Sequence, residues 1–246
     1  MSALGIILGR HGSKGLAHKN VAPVGGKPCV AWTIEAALAS ESLDHTVVST
    51  DPGPITDVAS SYSVPVLERP AALASDHATV DDAARHALQA LDEDPVLAGI
   101  DSIVLLYANV PVRPAGLIDR SIGVLLDTGC DSVQSYKPAG KHHPWWTAVV
   151  SESDASVRAF DHGELNHGTY RRQDLPPAHI PDGGVIALTR NALTKSIKGV
   201  TDGPHAFFGL DRRGVLTGEG EVIDIDSEID LLVADAILSR QPATTA

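Results

Sequence analysis

The chain has 246 residues, of which 43% are hydrophobic, and this is enough to bury the core of one domain with or without a small appendage. Its formal net charge of -12 opposes binding to a polyanion over a broad surface, so we expect no nucleic acid partner. No stretch has the apolar length that spans a membrane, and the N-terminus has no basic leader, so we expect a cytoplasmic protein without a membrane partner.

Apolar runs and helical periodicities alternate along the first half of the chain. The predicted strands are residues 4–8, 45–50, 64–67, 102–107 and 131–136. The predicted helices are residues 29–40, 55–62, 79–92 and 115–127. Strands that alternate with helices indicate right-handed crossovers and a mostly parallel sheet, with ligands at the carboxyl ends of the strands. The pattern therefore predicts an α/β fold.

The regular pattern breaks between about residues 137 and 181, where paired histidines and tryptophans occur without clear periodicity. We interpret this segment as an inserted arm or subdomain within a single domain of residues 1–246. Further strands are predicted at residues 184–188 and 222–225, and a closing helix at residues 228–239. One face of this helix carries the apolar side chains of Ile229, Leu232, Val233, Ala236 and Ile237.

A cationic, glycine-rich loop follows the first predicted strand. Residues 9–20 read GRHGSKGLAHKN and place Arg10, Lys14 and Lys19 among three glycines. Glycine lets backbone N–H groups approach phosphate oxygens, and the cations offset the charge of a triphosphate. The loop matches neither the Walker P-loop nor the dinucleotide fingerprint. It is a candidate phosphate cradle, with a solvated basic loop as the alternative.

Asp224 and Asp226 lie two residues apart around the end of the last predicted strand. Alternate residues of a strand share a face, so these two carboxylates can hold a hard divalent cation against phosphate oxygens. Mg²⁺ is the natural candidate. The alternative is that this segment only begins the last helix, with Asp226 or Ser227 as its cap.

The chain resembles the acylneuraminate cytidylyltransferases, the CMP-sialic acid synthetases, in motifs that follow the same order over nearly its whole length. The motifs are the loop at residues 9–20, VSTD at 48–51, RPAALASD at 69–76, YRRQDLP at 170–176, and DID at 224–226 with Asp230. The resemblance implies a Rossmann-like nucleotidyltransferase fold with an inserted dimerisation arm. It also implies a homodimer that couples CTP to an acidic α-keto sugar of the sialic acid type, with Mg²⁺ as cofactor.

The resemblance assigns roles to individual residues. The implied nucleotide-binding residues are Leu8, Gly9, Arg10, Lys14, Lys19, Asn20, Arg69 and Ala78. The implied sugar-binding residues are Tyr107, Arg113, Arg171, Arg172, Gln173, Phe207 and Phe208. The implied catalytic residues are Arg10, Lys19, Arg172 and Asp224, and the implied metal ligands are Asp224 and Asp226. Two alternatives remain: the arginine pair forms salt bridges with a partner subunit, and the phenylalanines form a core pair instead of lining the partner's sugar pocket.

The chain departs from the family at Tyr107, where the family has a glutamine that faces the sugar. A phenol differs from an amide in size and hydrogen bonding, so legionaminate, pseudaminate and related nonulosonates become candidate substrates beside N-acetylneuraminate. In the alternative interpretation Tyr107 only fills the strand end. A second departure is Trp145–Trp146, where some members carry a lysine near the sugar. We interpret the adjacent His142 and His143 as structural, since neighbouring side chains on extended backbone diverge and no third zinc ligand is near in sequence.

Two other functions fit the same residues. Activation of 3-deoxy-manno-octulosonate uses the same nucleotide and the same chemistry. A catalytically silent homologue would keep the nucleotide site but lose the acceptor site through the change at Tyr107. Assays with both classes of sugar, and CTP binding without pyrophosphate release, discriminate between them.

Overall fold

The structure is a computed structural model that describes residues 2–12, 15–75 and 78–240. The strands of the described residues are β1 (Ala3–Leu8), β2 (Pro23–Val24), β3 (Lys27–Pro28), β4 (His45–Thr50), β5 (Val66–Glu68), β6 (Ser102–Tyr107), β7 (Ser132–Pro138), β8 (Ala148–Val150), β9 (Val157–Ala159), β10 (His179–Thr189) and β11 (Arg212–Leu216). The α-helices are α1 (Cys29–Leu38), α2 (Pro54–Ser61), α3 (Val80–Leu91), α4 (Leu117–Thr128), α5 (Arg190–Leu193) and α6 (Glu228–Leu238). The 3-10 helices are Lys19–Val21, Ala71–Ala74, Gly140–His142, Pro144–Trp146, Leu165–Gly168, Arg172–Asp174 and Ala206–Phe208.

A seven-stranded sheet with the order β11-β7-β10-β6-β1-β4-β5 organises the chain. Every neighbouring pair is parallel except the two that involve β10, which runs antiparallel to both β6 and β7. All six residues of β1 are buried, as expected for a central strand that is covered on both faces. The predicted α/β fold with a mostly parallel sheet is confirmed.

Helices cover the sheet on both faces because successive side chains of a strand point to opposite sides. Ile7 packs into one core with residues of α1, α2 and α4. Its neighbour Ile6 packs into a second core with residues of α3. These two layers bring the carboxyl ends of β1, β4 and β6 to one edge of the sheet, where their loops can share a ligand.

The last part of the sheet differs from the prediction. Residues 222–225 form no strand; the backbone there makes an isolated antiparallel bridge between Val112 and Ile223, and Ile225 N donates to the Asn109 carbonyl at 2.9 Å. The outer position beside β7 is taken by β11, which the sequence analysis missed. The reason is that β11 reads RRGVL and leaves four of its five residues exposed, so it has no apolar run, whereas Val222 and Ile225 are buried without belonging to a strand.

The apolar face predicted for the closing helix points outward. Ile229 and Leu232 are 72% and 63% exposed, while Ala234 and Leu238 are buried. Gly25 of the β2–β3 turn approaches so closely that an added Cβ would lie 2.6 Å from Leu238 Cβ. Its backbone N–H donates to Asp235 Oδ1 at 2.8 Å. This close docking on a glycine turn selects the opposite face of α6 for burial.

The predicted break in the α/β pattern is present between β7 and β10. This segment, residues 139–178, contains the β8–β9 hairpin and short 3-10 turns, and it contributes no strand to the main sheet. His143 is buried within it, where Nδ1 accepts from Trp145 N and Nε2 donates to the Pro176 carbonyl. Phe160 and Tyr170 are 61% and 94% exposed. The segment therefore has its own polar scaffold and exposes large aromatic side chains to solvent.

Candidate active site

A cavity of about 260 Å³ opens at the carboxyl ends of β1 and β6. It is lined by Leu8, Gly9, Arg10, Lys19, Asn20, Arg69, Leu73, Ser75, Ala78, Thr79, Val80, Ala83, Tyr107 and Asn109. The structure therefore brings together all the predicted nucleotide-binding residues that it describes. Lys14 lies outside the described residues.

The loop after β1 is held in place by contacts to the neighbouring strands. Gly9 N donates to the Ser49 carbonyl at 3.2 Å, and an added Cβ at Gly9 would lie 2.9 Å from Ala108 Cβ. The buried Asn20 donates from Nδ2 to the Arg10 carbonyl at 2.8 Å. The cationic loop is thus anchored at the cavity, and its contacts oppose the alternative of a freely solvated basic loop.

Arg69 forms a buried cationic wall of this cavity. Its Nε donates to Ser49 Oγ at 3.0 Å, and its Nη2 donates to the Ser49 carbonyl at 2.7 Å. Burial lowers the pKa of Arg69 to about 10, partly offset by Asp51, so the guanidinium keeps its charge at neutral pH. Together with Arg10 and Lys19 it lines a cavity suited to a polyanionic ligand within an acidic protein.

Asp224 and Asp226 do not line the cavity and share no strand face, but each contacts a residue of its wall. Asp224 is partly buried, and its Oδ1 accepts from Nδ2 of Asn109, a residue that lines the cavity. Asp226 is exposed and accepts from Lys19 Nζ at 2.6 Å. The cap of α6 is Ser227, which forms a capping box with Asp230, so the carboxylates of Asp224 and Asp226 stay outside the cap.

The surroundings of Asp224 disfavour its ionised form. Burial raises the pKa of Asp224 to about 6, and the nearby Asp226 acts in the same direction while Lys19 opposes it. A carboxyl group with a pKa close to neutrality can both accept a proton and bind a cation at working pH.

A second cavity of about 520 Å³ adjoins the first and shares Thr79, Val80 and Tyr107 with it. Its other lining residues are Asp81, Ser132, Gln134, Tyr136, Pro181, Ile186, Pro204, His205, Phe207, Phe208, Arg212 and Arg213. Burial, with a smaller effect of Asp224, raises the pKa of Tyr107 to about 12, so the phenol stays protonated. Tyr107 stands between the two cavities with a hydroxyl that can donate and accept.

Phe207 and Phe208 belong to the core and also line the second cavity. Their ring centroids lie 4.2 Å apart, and both residues are buried in the core beneath α3. They also line the second cavity of their own subunit. The two rings therefore form a core pair within the chain, and the expected contact with a partner's sugar pocket stays a prediction.

The remaining predicted sugar-binding residues lie elsewhere in the described chain. Arg171 and Arg172 are exposed on the inserted segment, where they pair with Asp174 and Glu219, each at 2.7 Å. Gln173 is exposed beside them. Among the described residues these three line neither cavity. Within one chain the segment between β7 and β10 therefore holds these residues away from the two cavities, and their role toward the sugar stays a prediction.

Arg113 is the last of the predicted sugar-binding residues. It lines neither of these cavities within the described chain, but it lines a separate cavity of about 280 Å³ beside α1 and α4. Its Nε donates to the Gly184 carbonyl at 2.6 Å, and burial lowers its pKa to about 10, with Asp182 opposing that effect. A sugar-binding role for Arg113 stays a prediction.

Sequence reasoning missed several residues around the cavities. Asn109 holds Asp224, and Thr79 and Gln134 line cavity walls. Asn109 had a usable signal, because it follows β6 at the carboxyl edge of the sheet, where polar residues converge. Gln134 lies within a strand and had no such signal. The described residues contain no cluster of three or more His, Cys, Asp or Glu side chains that could hold a metal.

Solved structures with the same architecture are nucleotidyltransferases. The CMP:2-keto-3-deoxy-manno-octonic acid synthetase complexed with CTP matches with a TM-score of 0.69 at 15% identity, over 98% of this chain and 100% of that chain. The 4-diphosphocytidyl-2C-methyl-D-erythritol synthase of Anaerococcus prevotii matches with a TM-score of 0.63 at 15% identity, over 96% and 98%. At such identities the likeness defines the fold, which is that of nucleotidyltransferases.

Sequence comparison identifies the family. A family model described as cytidylyltransferase matches residues 4–149. The CMP-N,N'-diacetyllegionaminic acid synthase of Legionella pneumophila is 36% identical over 97% of this chain and 97% of that protein. The chain belongs to the cytidylyltransferase family. It is also 28% identical to the N-acylneuraminate cytidylyltransferase of Escherichia coli over 97% of this chain, but it spans only 52% of that protein's length.

The described helices are also informative about membranes. None of the helices within residues 2–12, 15–75 and 78–240 combines the length and the apolarity that crossing a membrane requires.

Proposed function

We propose that this protein transfers the cytidylyl group of CTP to a sialic-acid-like nonulosonate and releases pyrophosphate. One observation carries the proposal: a cationic cavity at the carboxyl ends of β1 and β6 adjoins a larger cavity, and Tyr107 lines both. The first suits a nucleoside triphosphate, and the second suits an acceptor. The full-length likeness to the legionaminate-type synthase supports a nine-carbon sugar acid as that acceptor.

The reaction is an in-line attack of the anomeric hydroxyl oxygen on the α-phosphorus of CTP. The new oxygen–phosphorus bond forms as the bond from the α-phosphorus to the bridging oxygen breaks, and pyrophosphate leaves. Arg10 and Lys19 stabilise the negative charge of the departing group from the cavity wall. Most of the rate enhancement then comes from positioning and charge stabilisation.

Asp224 is the group that we assign to the hydroxyl proton. Its Oδ1 is engaged by Asn109, and its Oδ2 faces Gly183, where an added Cβ would lie 3.3 Å away. The same position would lie 3.6 Å from Tyr107 Cδ2, so Asp224 Oδ2 lies near Tyr107, which lines both cavities. A pKa raised to about 6 by burial suits a proton acceptor near neutrality.

The donor set fits Mg²⁺ as a cofactor. Asp224 and Asp226 supply hard carboxylate oxygens beside a cavity for phosphates, and Mg²⁺ is commonly bound through one or two carboxylates together with substrate phosphates. When bound, the ion would offset the charge of the triphosphate. Asp226 already faces Lys19, so this carboxylate would be shared between a lysine and the cation.

We extend the proposal to a homodimer in the cytoplasm, built from one nucleotidyltransferase domain per chain with an exchanged arm near residues 137–181. The exposed apolar side chains of the inserted segment, such as Phe160 and Tyr170, support an interface there. An exchanged arm would also explain why Arg172 lies outside the cavities of its own chain: it would reach the sugar carboxylate in the partner's site.

The first test is pyrophosphate release from CTP and Mg²⁺ with N-acetylneuraminate, legionaminate, pseudaminate and 3-deoxy-manno-octulosonate in parallel. We expect strong turnover with one nine-carbon acid and little with the eight-carbon acid, with ATP in place of CTP as the nucleotide control. Turnover restricted to 3-deoxy-manno-octulosonate would replace the proposal by that second activity, which the solved neighbour with a TM-score of 0.69 favours. Tight CTP binding by calorimetry without release from any sugar would indicate a silent homologue.

A further inference from the structure

The strand β10 carries a bulge between Pro181 and Ile186, which both line the second cavity. Pro181 lies opposite Tyr136 and Ile186 lies opposite Gln134, so β10 holds extra residues over this span. Bulges of this kind often occur next to active sites, where they redirect the chain. The extra residues include Asp182, Gly183 and Gly184, and their placement is not explained by pairing in the sheet.

Gly183 is the residue of the bulge that faces the candidate site. Its φ is +78°, and an added Cβ would lie 3.3 Å from Asp224 Oδ2 and 3.6 Å from Tyr107 Cδ2. A methyl group at Gly183 would therefore press on Asp224 and touch Tyr107, so glycine leaves room for both side chains. A shift of this backbone toward the site would crowd the same two side chains.

Buried charged side chains form hydrogen bonds with both the N–H and the carbonyl group of Gly184. Its N–H donates to Asp182 Oδ1 at 2.9 Å, and its carbonyl accepts from Arg113 Nε at 2.6 Å. An added Cβ would lie 2.9 Å from both Leu117 Cδ2 and Ser135 Oγ. Gly184 thus has no freedom to move, either through hydrogen bonding or through packing.

Two hydroxyl groups complete the environment of Asp182, which is only 5% exposed. Ser135 donates to Asp182 Oδ1, and Thr217 Oγ1 donates to Asp182 Oδ2 at 2.6 Å. Ser135 comes from β7 and Thr217 from the segment after β11, so the network ties the bulge to the far side of the sheet. We call Arg113, Ser135, Asp182 and Thr217 the bulge clamp.

The bulge clamp is costly to bury and therefore requires an explanation. Taking a carboxylate and a guanidinium out of water is unfavourable unless their hydrogen bonds are satisfied, and apolar residues of similar volume often give equal or greater stability. The nitrogens Nη1 and Nη2 of Arg113 are buried and have no hydrogen-bond partner among the described residues. Packing alone does not account for two buried charged groups at this place.

We infer that the bulge clamp positions Gly183 so that Asp224 and Tyr107 are set at the boundary between the two cavities for transfer of the cytidylyl group. The members of the clamp are positioning residues that touch neither proposed substrate. This inference rests on the proposed function for its kinetic consequences, but its structural content, the placement of Asp224 and Tyr107, is independent of any substrate.

The decisive variant is Gly183→Ala, with Gly116→Ala as the matched control. Gly116 has a similar φ of +72°, so alanine is strained there too, but an added Cβ meets nothing within 4 Å. We expect Gly183→Ala to lower kcat about tenfold, because Asp224 must give way by a few tenths of an ångström, while the KM for CTP stays within about twofold. Gly116→Ala should lose comparable stability and keep its kcat.

A second pair of variants tests the bulge clamp at Thr217, which donates to Asp182. Thr217→Val removes the hydroxyl donor at nearly constant volume, whereas Thr217→Ser keeps the donor. We expect a lower kcat in Thr217→Val and restoration in Thr217→Ser, with unfolding midpoints measured for both. If the clamp served stability alone, Gly183→Ala and Thr217→Val would lower the unfolding midpoint and leave kcat per folded molecule unchanged. That result would overturn the inference.

Crystal structures of the wild type and Gly183→Ala separate this inference from the proposed function. We expect displaced Asp224 and Tyr107 side chains in the variant, and unchanged positions would overturn the clamp. If the wild-type protein releases no pyrophosphate with any sugar acid, the proposed function fails, and the crystallographic comparison alone decides the positioning role.

Discussion

Replacement of Asp224 by Asn tests how much the ionised carboxylate of Asp224 destabilises the folded protein. Burial and, to a lesser extent, the neighbouring Asp226 raise the pKa of Asp224 from 3.8 to about 6, against the lowering effect of Lys19. The folded protein therefore binds a proton at this carboxyl group more tightly than the unfolded chain does. The rise corresponds to about 3 kcal/mol by which ionised Asp224 weakens folding.

The sign of the pH dependence follows from the raised pKa. Below about pH 4 the carboxyl group is protonated in both states and the penalty is absent, whereas above about pH 6 it is ionised in both and the penalty is complete. Asp224→Asn is neutral at every pH, and its side-chain oxygen can still accept from Asn109. The variant should therefore be more stable than the wild type by up to about 3 kcal/mol at pH 8, about equal at pH 4, and inactive in transfer.

Urea denaturation followed by tryptophan fluorescence measures this difference at pH 4 and pH 8, with EDTA present to exclude divalent cations. Asp127→Asn on the exposed end of α4 is the matched control, because it removes a carboxylate from the protein surface. Equal stability of Asp224→Asn and wild type at pH 8, or a difference that grows as the pH falls, would refute the argument. Substantial retained turnover would remove Asp224 from the proposed mechanism.

Three further predictions concern the cavities and the inserted segment. Lys19→Met should raise the KM for CTP about tenfold or more, since a cation at the triphosphate is lost, whereas the exposed control Lys198→Met should leave it unchanged in steady-state assays. Tyr107→Gln should shift kcat/KM toward N-acetylneuraminate at constant affinity for CTP, and an unaltered sugar preference would assign Tyr107 to packing. Arg172→Ala should change the unfolding free energy by less than about 1 kcal/mol, because its pair with Glu219 is exposed. Mixing inactive Arg172→Ala with inactive Asp224→Asn should restore about a quarter of wild-type turnover if arms are exchanged in a dimer, and no recovery would contradict the exchange.

Much of the fold was predictable because local burial leaves a periodic trace. The strands at β4 and β6 coincide with the predicted ranges, since short apolar runs bounded by loops identify buried strands. The nucleotide-type residues were predictable for a related reason: Gly9, Arg10 and Lys19 follow a strand, and the carboxyl ends of parallel strands meet at one edge. The family motifs added Arg69 and Ala78, which no periodicity indicates.

The sequence by itself determined the alternation of strands and helices, the edge of the sheet where the site lies, and part of the lining of the first cavity. Only the tertiary structure decided that β10 runs antiparallel, that Arg113 donates to the Gly184 carbonyl, and that α6 buries Ala234 and Leu238 instead of its more apolar face. The physical reason is that periodicity reports which local side chains are apolar. Strand direction, bulges and the buried face of a helix depend on contacts between segments far apart in the chain, such as Gly25 with Leu238, which no local pattern encodes.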